Sequence, residues 1–172
     1  LFNLVFNEYP FSHYLINNYH FILFSNDNYM IDEMALGNTT TWLEEQIKIS
    51  MAYLNKKGDP IFVISHMQPL NTVYGSENIL WGSQKIYNAL KKYPQVICLS
   101  GHSHYSLKHP KSIWQDKFTS IGTQSIAYVD LDYNFENNNS VVLSSRNTSY
   151  MGLIANLNKE QIIVERIFFR TE

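Results

Sequence analysis

PIFVISH (60–66) and QVICLSGHSH (95–104) are the two stretches whose reading decides the fold. Each is an apolar run of strand length that stops abruptly at histidine. Neither alternates apolar with polar residues, which is the pattern of a strand covered on both faces, and parallel sheets bury their strands in that way. A helix is expected between them over about 83–92, with Ile86, Tyr87 and Leu90 inward and Pro94 marking its end. Upstream, NYHFILFSND (18–27) has a β-branched and aromatic centre bounded by Asn and Asp, and reads as another buried strand. A loop follows it. Thr41-Trp42-Leu43-Glu44 then has the form of a capping box that opens a helix. Leu43, Ile47, Met51 and Leu54 fall on one face of that helix, Lys56 and Lys57 favour its C-terminal end, and Gly58 stops it.

The middle of the chain therefore reads strand, helix, strand, helix, strand, which predicts a parallel sheet with right-handed crossovers. Beyond residue 105 the pattern changes to short strands separated by turn residues: FTSIG (118–122), SIAYVDLDY (125–133), SVVLSSR (140–146), YMGLIANL (150–157) and QIIVERIFF (161–169). With Asn158-Lys159-Glu160 as a hairpin turn, this part is expected to be antiparallel. The fold class is α/β, parallel strands first and antiparallel strands at the C-terminus.

At 172 residues and 45% hydrophobic content, the chain has the material for one globular domain or for part of a larger one. Lys plus Arg number 13 against 15 Asp plus Glu, so there is no cationic footprint for nucleic acid. No apolar stretch reaches the roughly 20 residues a spanning helix needs. The single cysteine, Cys98, lies in an apolar run and reads as a buried, inert thiol. NFENNNS (134–140) reads as a loop tip.

The histidines carry the functional signal. In open α/β sheets ligands bind at the carboxyl ends of the strands. His66 ends one expected parallel strand, and His102 and His104 follow the next, so neighbouring strands would deliver three imidazoles to one crevice. Neutral imidazole suits zinc, manganese or iron. Gly101 is expected to provide the sharp turn that lets His102 and His104 aim differently. His13, His20 and His109 have no such context and read as surface or hydrogen-bonded residues. Other His-x-His families fit less well. A cupin needs a Glu soon after the pair, and HSHYSLKHPKSIW has none. A metallo-β-lactamase site needs Asp-His where Tyr105-Ser106 stand, and an amidohydrolase needs a long barrel to follow.

VISHMQP (63–69) and LSGHSH (99–104) together resemble the last two motifs of the calcineurin-like metallophosphoesterases, in order and at compatible spacing. TWLEEQI (41–47) is similar to the helix those enzymes place before them. The resemblance spans roughly residues 18–130. It implies a four-layer α/β/β/α sandwich and hydrolysis of a phosphomonoester or phosphodiester at two divalent ions (Mn, Fe or Zn) about 3.5–4 Å apart. His66 and His102 would then ligate one ion and His104 the other, while Tyr74, Asn78 and Trp81, in the loop beside the crevice, would contact the leaving group.

The family's earlier motifs, Asp-x-His, Gly-Asp-x-x-Asp and Gly-Asn-His, do not occur in the sequence. Gly58-Asp59 precedes a strand instead of following one, and Gly37-Asn38 is followed by Thr39. The expectation is that residues 1–172 are the C-terminal portion of a single phosphoesterase domain whose N-terminal half lies elsewhere. Such a chain would be inactive in isolation and would hold at most one weakly bound ion. Two alternatives come from other classes. One is a non-enzymatic α/β binding or oligomerisation module that self-associates through the open sheet edge. The other is a mononuclear hydrolase using Glu77 or Asp27 as general base.

Overall fold

The computed structural model describes residues 11–24, 33–54, 58–125, 150–158 and 161–169. Strands β1 (Phe11–Ile16) and β2 (Tyr19–Phe24) form a hairpin across Asn17 and Asn18, both in the left-handed region that a tight two-residue turn demands. Helix α1 (Glu33–Ala52) leads to β3 (Ile61–Ser65). The short strands β4 (Gln68–Pro69) and β5 (Gly82–Ser83) pair with each other before α2 (Gln84–Leu90), and β6 (Val96–Ser100) follows. Then come β7 (Ile113–Gln115), β8 (Thr119–Gly122), β9 (Tyr150–Leu157) and β10 (Ile162–Phe169). The main sheet has the order β1-β2-β3-β6-β8-β7, with β2, β3, β6 and β8 parallel to one another and the two outer strands antiparallel to them. Strands β9 and β10 make a separate antiparallel hairpin closing at Leu157↔Ile162. The protein is thus a mixed α/β fold with a mostly parallel sheet and an antiparallel C-terminal hairpin. Among the described residues no helix is long and apolar enough to cross a membrane.

The core lies between one face of the sheet and the two helices. Ile22, Phe24, Ile61, Val63, Val96 and Cys98 pack there against Leu43, Ile47, Ile86, Ala89 and Leu90. Burial pushes the Cys98 thiol up to about 12, so the expected inert thiol is what is found. The N-cap of α2 is Ser83, whose hydroxyl accepts from the Ile86 amide. The opposite sheet face presents Tyr19, Phe21, Leu23, Phe62, Ile64, Ile97 and Leu99, with Phe21 stacked on Phe62 at 4.8 Å between ring centroids. Phe62 is buried and Ile64 is exposed, so this apolar face is only part-covered. A cavity of about 750 Å³ lies between Ile97, Ile113 and Ile121 of the main sheet and Ile162 and Val164 of the hairpin.

Four expectations need correction. Helix α1 starts at Glu33, so Thr41–Glu44 is interior helix and not a capping box, and Gly37-Asn38 lies within the same helix. Threonine costs a helix only a few tenths of a kcal/mol, less than the burial of Leu43 and Ile47 returns. The inward face is also displaced by one residue. Ser50 is fully buried while Met51 is 40% exposed, because positions 43, 47, 50 and 54 follow the helical period more closely than 43, 47, 51 and 54. Ser50 is accommodated by donating its hydroxyl proton to the Gln46 carbonyl. Third, β8 pairs parallel with β6, so the parallel sheet continues past residue 105 before the antiparallel pairs begin. Fourth, the helix ends at Ala52, earlier than Gly58, which takes φ +100° in the approach to β3. Among the described residues the main sheet has β1 and β7 as its outer strands. The strands expected over 125–133 and 140–146, the loop tip over 134–140, and Asp27, Lys56 and Lys57 lie outside the described residues.

His13 and His20 meet under the N-terminal hairpin. Their nitrogens Nε2 and Nδ1 are 2.8 Å apart, and His13 Nδ1 is 2.9 Å from Gln46 Oε1. Burial first, and then the His13 charge, lower the His20 pKa from 6.5. Below about 6.5 the unfolded chain therefore takes up a proton that the folded chain resists. Stability should be insensitive to this group above that value and should decline as pH falls through it; thermal melts at about pH 7.5 and about pH 5.5 measure the difference, and His20→Phe should reduce it, leaving the share that His66 contributes with the same sign. The register of α1 is tested by charge insertion. Met51→Lys should shift unfolding free energy by less than about 0.5 kcal/mol, whereas Ser50→Lys should remove several kcal/mol, both read by urea denaturation.

Candidate metal centre

The pairing of β3 with β6 runs in register from Ile61↔Val96 to Ser65↔Ser100, so His66 and Gly101 leave the sheet side by side. The Gly101 amide donates to the His66 carbonyl at 3.2 Å, carrying the pairing one residue past the strands. The Thr123 amide and hydroxyl both donate to the Ser100 carbonyl, which ties the end of β6 to the segment after β8. The crevice thus has three strand ends as its floor.

The turn that follows is built differently from the expectation. Gly101 has no left-handed φ, and a methyl group there would make only ordinary contacts, the nearest at 3.7 Å from Thr123 Oγ1. His102 and His104 themselves take φ +74° and +57°. Left-handed backbone costs a non-glycine residue roughly 1–2 kcal/mol, and such strain concentrates at functional sites. Between them Ser103 is buried, its hydroxyl accepting from Gln68 Nε2 at 2.7 Å. The two histidines therefore stand to either side of an anchored serine.

His66 Nε2 and His102 Nδ1 face each other at 2.9 Å, with the rings close to perpendicular. The Leu80 carbonyl lies 3.3 Å from His102 Nε2. A carbonyl only accepts, so His102 carries its proton on Nε2 and turns the Nδ1 lone pair toward His66. Metal-binding histidines are commonly held this way, one nitrogen donating to a carbonyl and the other free to ligate. Two nitrogens on one tetrahedral zinc, each at about 2.0–2.1 Å, would stand roughly 3.3 Å apart. Opening the pair by a few tenths of an ångström, with the His66 proton moved to Nδ1, would admit an ion. These two residues fit a metal.

The third imidazole is near without converging. His104 is close enough for its charge to lower the His66 pKa, after the larger effects of desolvation and His102. Among the described residues, however, no three His, Cys, Asp or Glu side chains are arranged to hold a metal ion. The lowered pKa keeps His66 neutral at physiological pH, the form a metal requires. Buried beneath the loop, Ser100 Oγ and Gln68 Oε1 have no hydrogen-bond partner among the described residues.

Asn78 is exposed, and its side-chain oxygen accepts from the Leu80 amide at 2.9 Å, so it shapes the turn that presents the Leu80 carbonyl. Tyr74 lies farther along the same wall, stacked on His109 at 4.1 Å and edge-on to Tyr105 at 4.6 Å. Glu77 is exposed on this loop. The contribution of Leu80 was not legible in the sequence, because a backbone carbonyl has no residue signature. No protein-family model matches this chain, and no curated protein matches it either.

The strain assignment has a direct test. His104→Gly should leave unfolding free energy unchanged or higher, because it relieves left-handed strain, while the β-branched His104→Val should lower it by about 1–2 kcal/mol. Gly101→Ala should change it by less than about 1 kcal/mol. Urea midpoints of the three variants give the order.

Proposed function

We propose that His66, His102 and His104 are metal ligands of a calcineurin-like phosphoesterase centre that hydrolyses phosphomonoesters or phosphodiesters. The observation that carries this reading is the facing pair His66 Nε2 and His102 Nδ1, 2.9 Å apart at the carboxyl ends of neighbouring parallel strands. VISHMQP and LSGHSH supply those two strand ends, and among the described residues no other pair of neighbouring strands in the main sheet runs into histidine. The four-layer sandwich belongs to the same proposal, supported by the part-covered apolar face of Tyr19, Phe21, Leu23, Ile64, Ile97 and Leu99 and by the hairpin beginning a second layer beside it.

In this reading His66 and His102 hold one ion and His104 the other. The bound ions (Mn, Fe or Zn) would supply charge for the phosphate and a hydroxide at neutral pH. The chain's own contribution is to keep His66 neutral by desolvation and to aim His102 through the Leu80 carbonyl. The bridging aspartate and the leaving-group histidine belong to motifs not found among the 172 residues, so they must come from other polypeptide. Without that carboxylate, two dications a few ångströms apart repel strongly, and these residues alone should hold at most one ion weakly. A second reading, an oligomerisation module, draws on the outer strand β1, where Leu15 and Ile16 are 62% and 52% exposed. An apolar edge of that kind is a template for strand pairing.

Zinc titration of the 172-residue chain followed by calorimetry should give no more than one site, and His66→Ala or His102→Ala should weaken it at least tenfold. Binding unchanged by both substitutions would overturn the ligand assignment. The chain should leave bis-p-nitrophenyl phosphate intact, and polypeptide bearing the three missing motifs should restore hydrolysis by several orders of magnitude. A metal-free chain that forms a dimer dispersed by Leu15→Lys would favour the oligomerisation module.

A further inference from the structure

A row of rings starts beside the histidine pair and runs away from it. Leu80 contacts His102 through its carbonyl, and the next residue, Trp81, packs edge-on to Tyr105 at 5.9 Å between centroids. Tyr105 directly follows His104 and meets Tyr74 at 4.6 Å, and Tyr74 stacks on His109. All four rings are half-buried, each keeping part of its surface open. The row is held rigidly. Gly75, at φ +87°, passes so close under Tyr105 that a Cβ would lie 2.6 Å from the ring, and the Tyr74 amide donates to the Lys111 carbonyl. Trp81 is fixed by its amide, which donates to the Asn78 carbonyl, and by its carbonyl, which accepts from the Gln68 amide. Two more apolar side chains, Ile79 and Leu80, are 75% and 55% exposed on the same loop.

Charge narrows what such a wall receives. From His66 to Gln84 there is no Lys or Arg, and Glu77 is the single charged side chain. On this loop a leaving group bearing further phosphates would meet Glu77 and no cation; Lys108 and Lys111 flank His109 at the far end of the row, with the Lys108 ammonium 5.2 Å from the Phe168 ring centroid. A flat uncharged ring would instead find partners for offset or edge-to-face packing, each such contact giving about 0.5–1.5 kcal/mol beyond area burial. We propose that Trp81, Tyr105 and Tyr74 form a subsite for an uncharged aromatic leaving group, so that aryl phosphate esters are the substrate class of this centre. The inference rests on the phosphoesterase reading for its role, while the ring-binding surface itself is independent of metal.

The test uses the 172-residue chain with 2-naphthol, 2-naphthyl phosphate, glycerol 3-phosphate and ATP as probes. The indole N–H signals of Trp42, Trp81 and Trp114 are followed by NMR, with Trp81→Phe assigning its own. Both naphthyl compounds should shift the Trp81 signal saturably and leave Trp42 and Trp114 in place, and glycerol 3-phosphate and ATP should not. Tyr105→Ala should weaken naphthol binding about fivefold to tenfold. Tyr105→Leu, which keeps the space filled, should weaken it similarly should the alanine variant fail to fold. An unmoved Trp81 signal, or one that ATP shifts as far as naphthol does, overturns the subsite. Failure of the phosphoesterase reading is seen separately, as zinc binding indifferent to His66→Ala and His102→Ala while the naphthol shift persists.

Discussion

The parallel pairing of β3 with β6 is the constraint on which the rest of the site depends. Five residue pairs in register bring Ser65 level with Ser100, and one further hydrogen bond, from the Gly101 amide to the His66 carbonyl, carries the alignment into the loops. A slip of one residue would turn either Val63 or Cys98 out of the helix-covered face, so the buried core and the meeting of the histidines are set by the same choice. Burial of Val63, Val96 and Cys98 under α1 and α2 is what holds that register.

Two pairs of imidazoles face each other in this protein, and the difference between them is instructive. His13 and His20 are as close as His66 and His102. Yet the first pair sits beneath a hairpin, with His20 only 4% exposed and His13 tied to Gln46 on α1. It behaves as a polar patch in the core, consistent with the hydrogen-bonded reading of lone histidines. His66 is exposed at a strand end, and its partner and His104 sit in strained backbone beside an open loop. Proximity of nitrogens alone does not make a ligand pair; position in the sheet and backbone strain are what favour the proposal for His66 and His102.

The parallel strands were legible because a continuous apolar run ending in histidine has few other readings, and β3 and β6 lie within the expected stretches. Helix α2 was legible through Ser83 and Pro94. The start of α1 was not, since Thr41-Trp42-Leu43-Glu44 satisfies a capping pattern locally while the helix begins at Glu33 and tolerates the threonines within it. The direction of β8 was illegible for a related reason: FTSIG has the residues of a strand, but parallel or antiparallel pairing is set by the path of the connection. At the site, sequence identified His66, His102 and His104 as candidates and expected all three in one crevice; the structure brings the first two into contact. It assigned the sharp turn to Gly101 because glycine is the usual bearer of unusual φ, whereas the histidines carry it.

Among the described residues, strand β3 lies between β2 and β6 and is hydrogen-bonded along both edges, while β9 and β10 form a sheet of two strands. Proteins open in cooperative pieces, those with the fewest shared bonds first and the doubly bonded centre last. The C-terminal hairpin and the outer strands β1 and β7 can therefore exchange their amide hydrogens through partial openings that leave β3 and β6 closed. His66 is anchored to this doubly bonded centre of the sheet, so its position should survive openings of the outer strands and of the C-terminal hairpin.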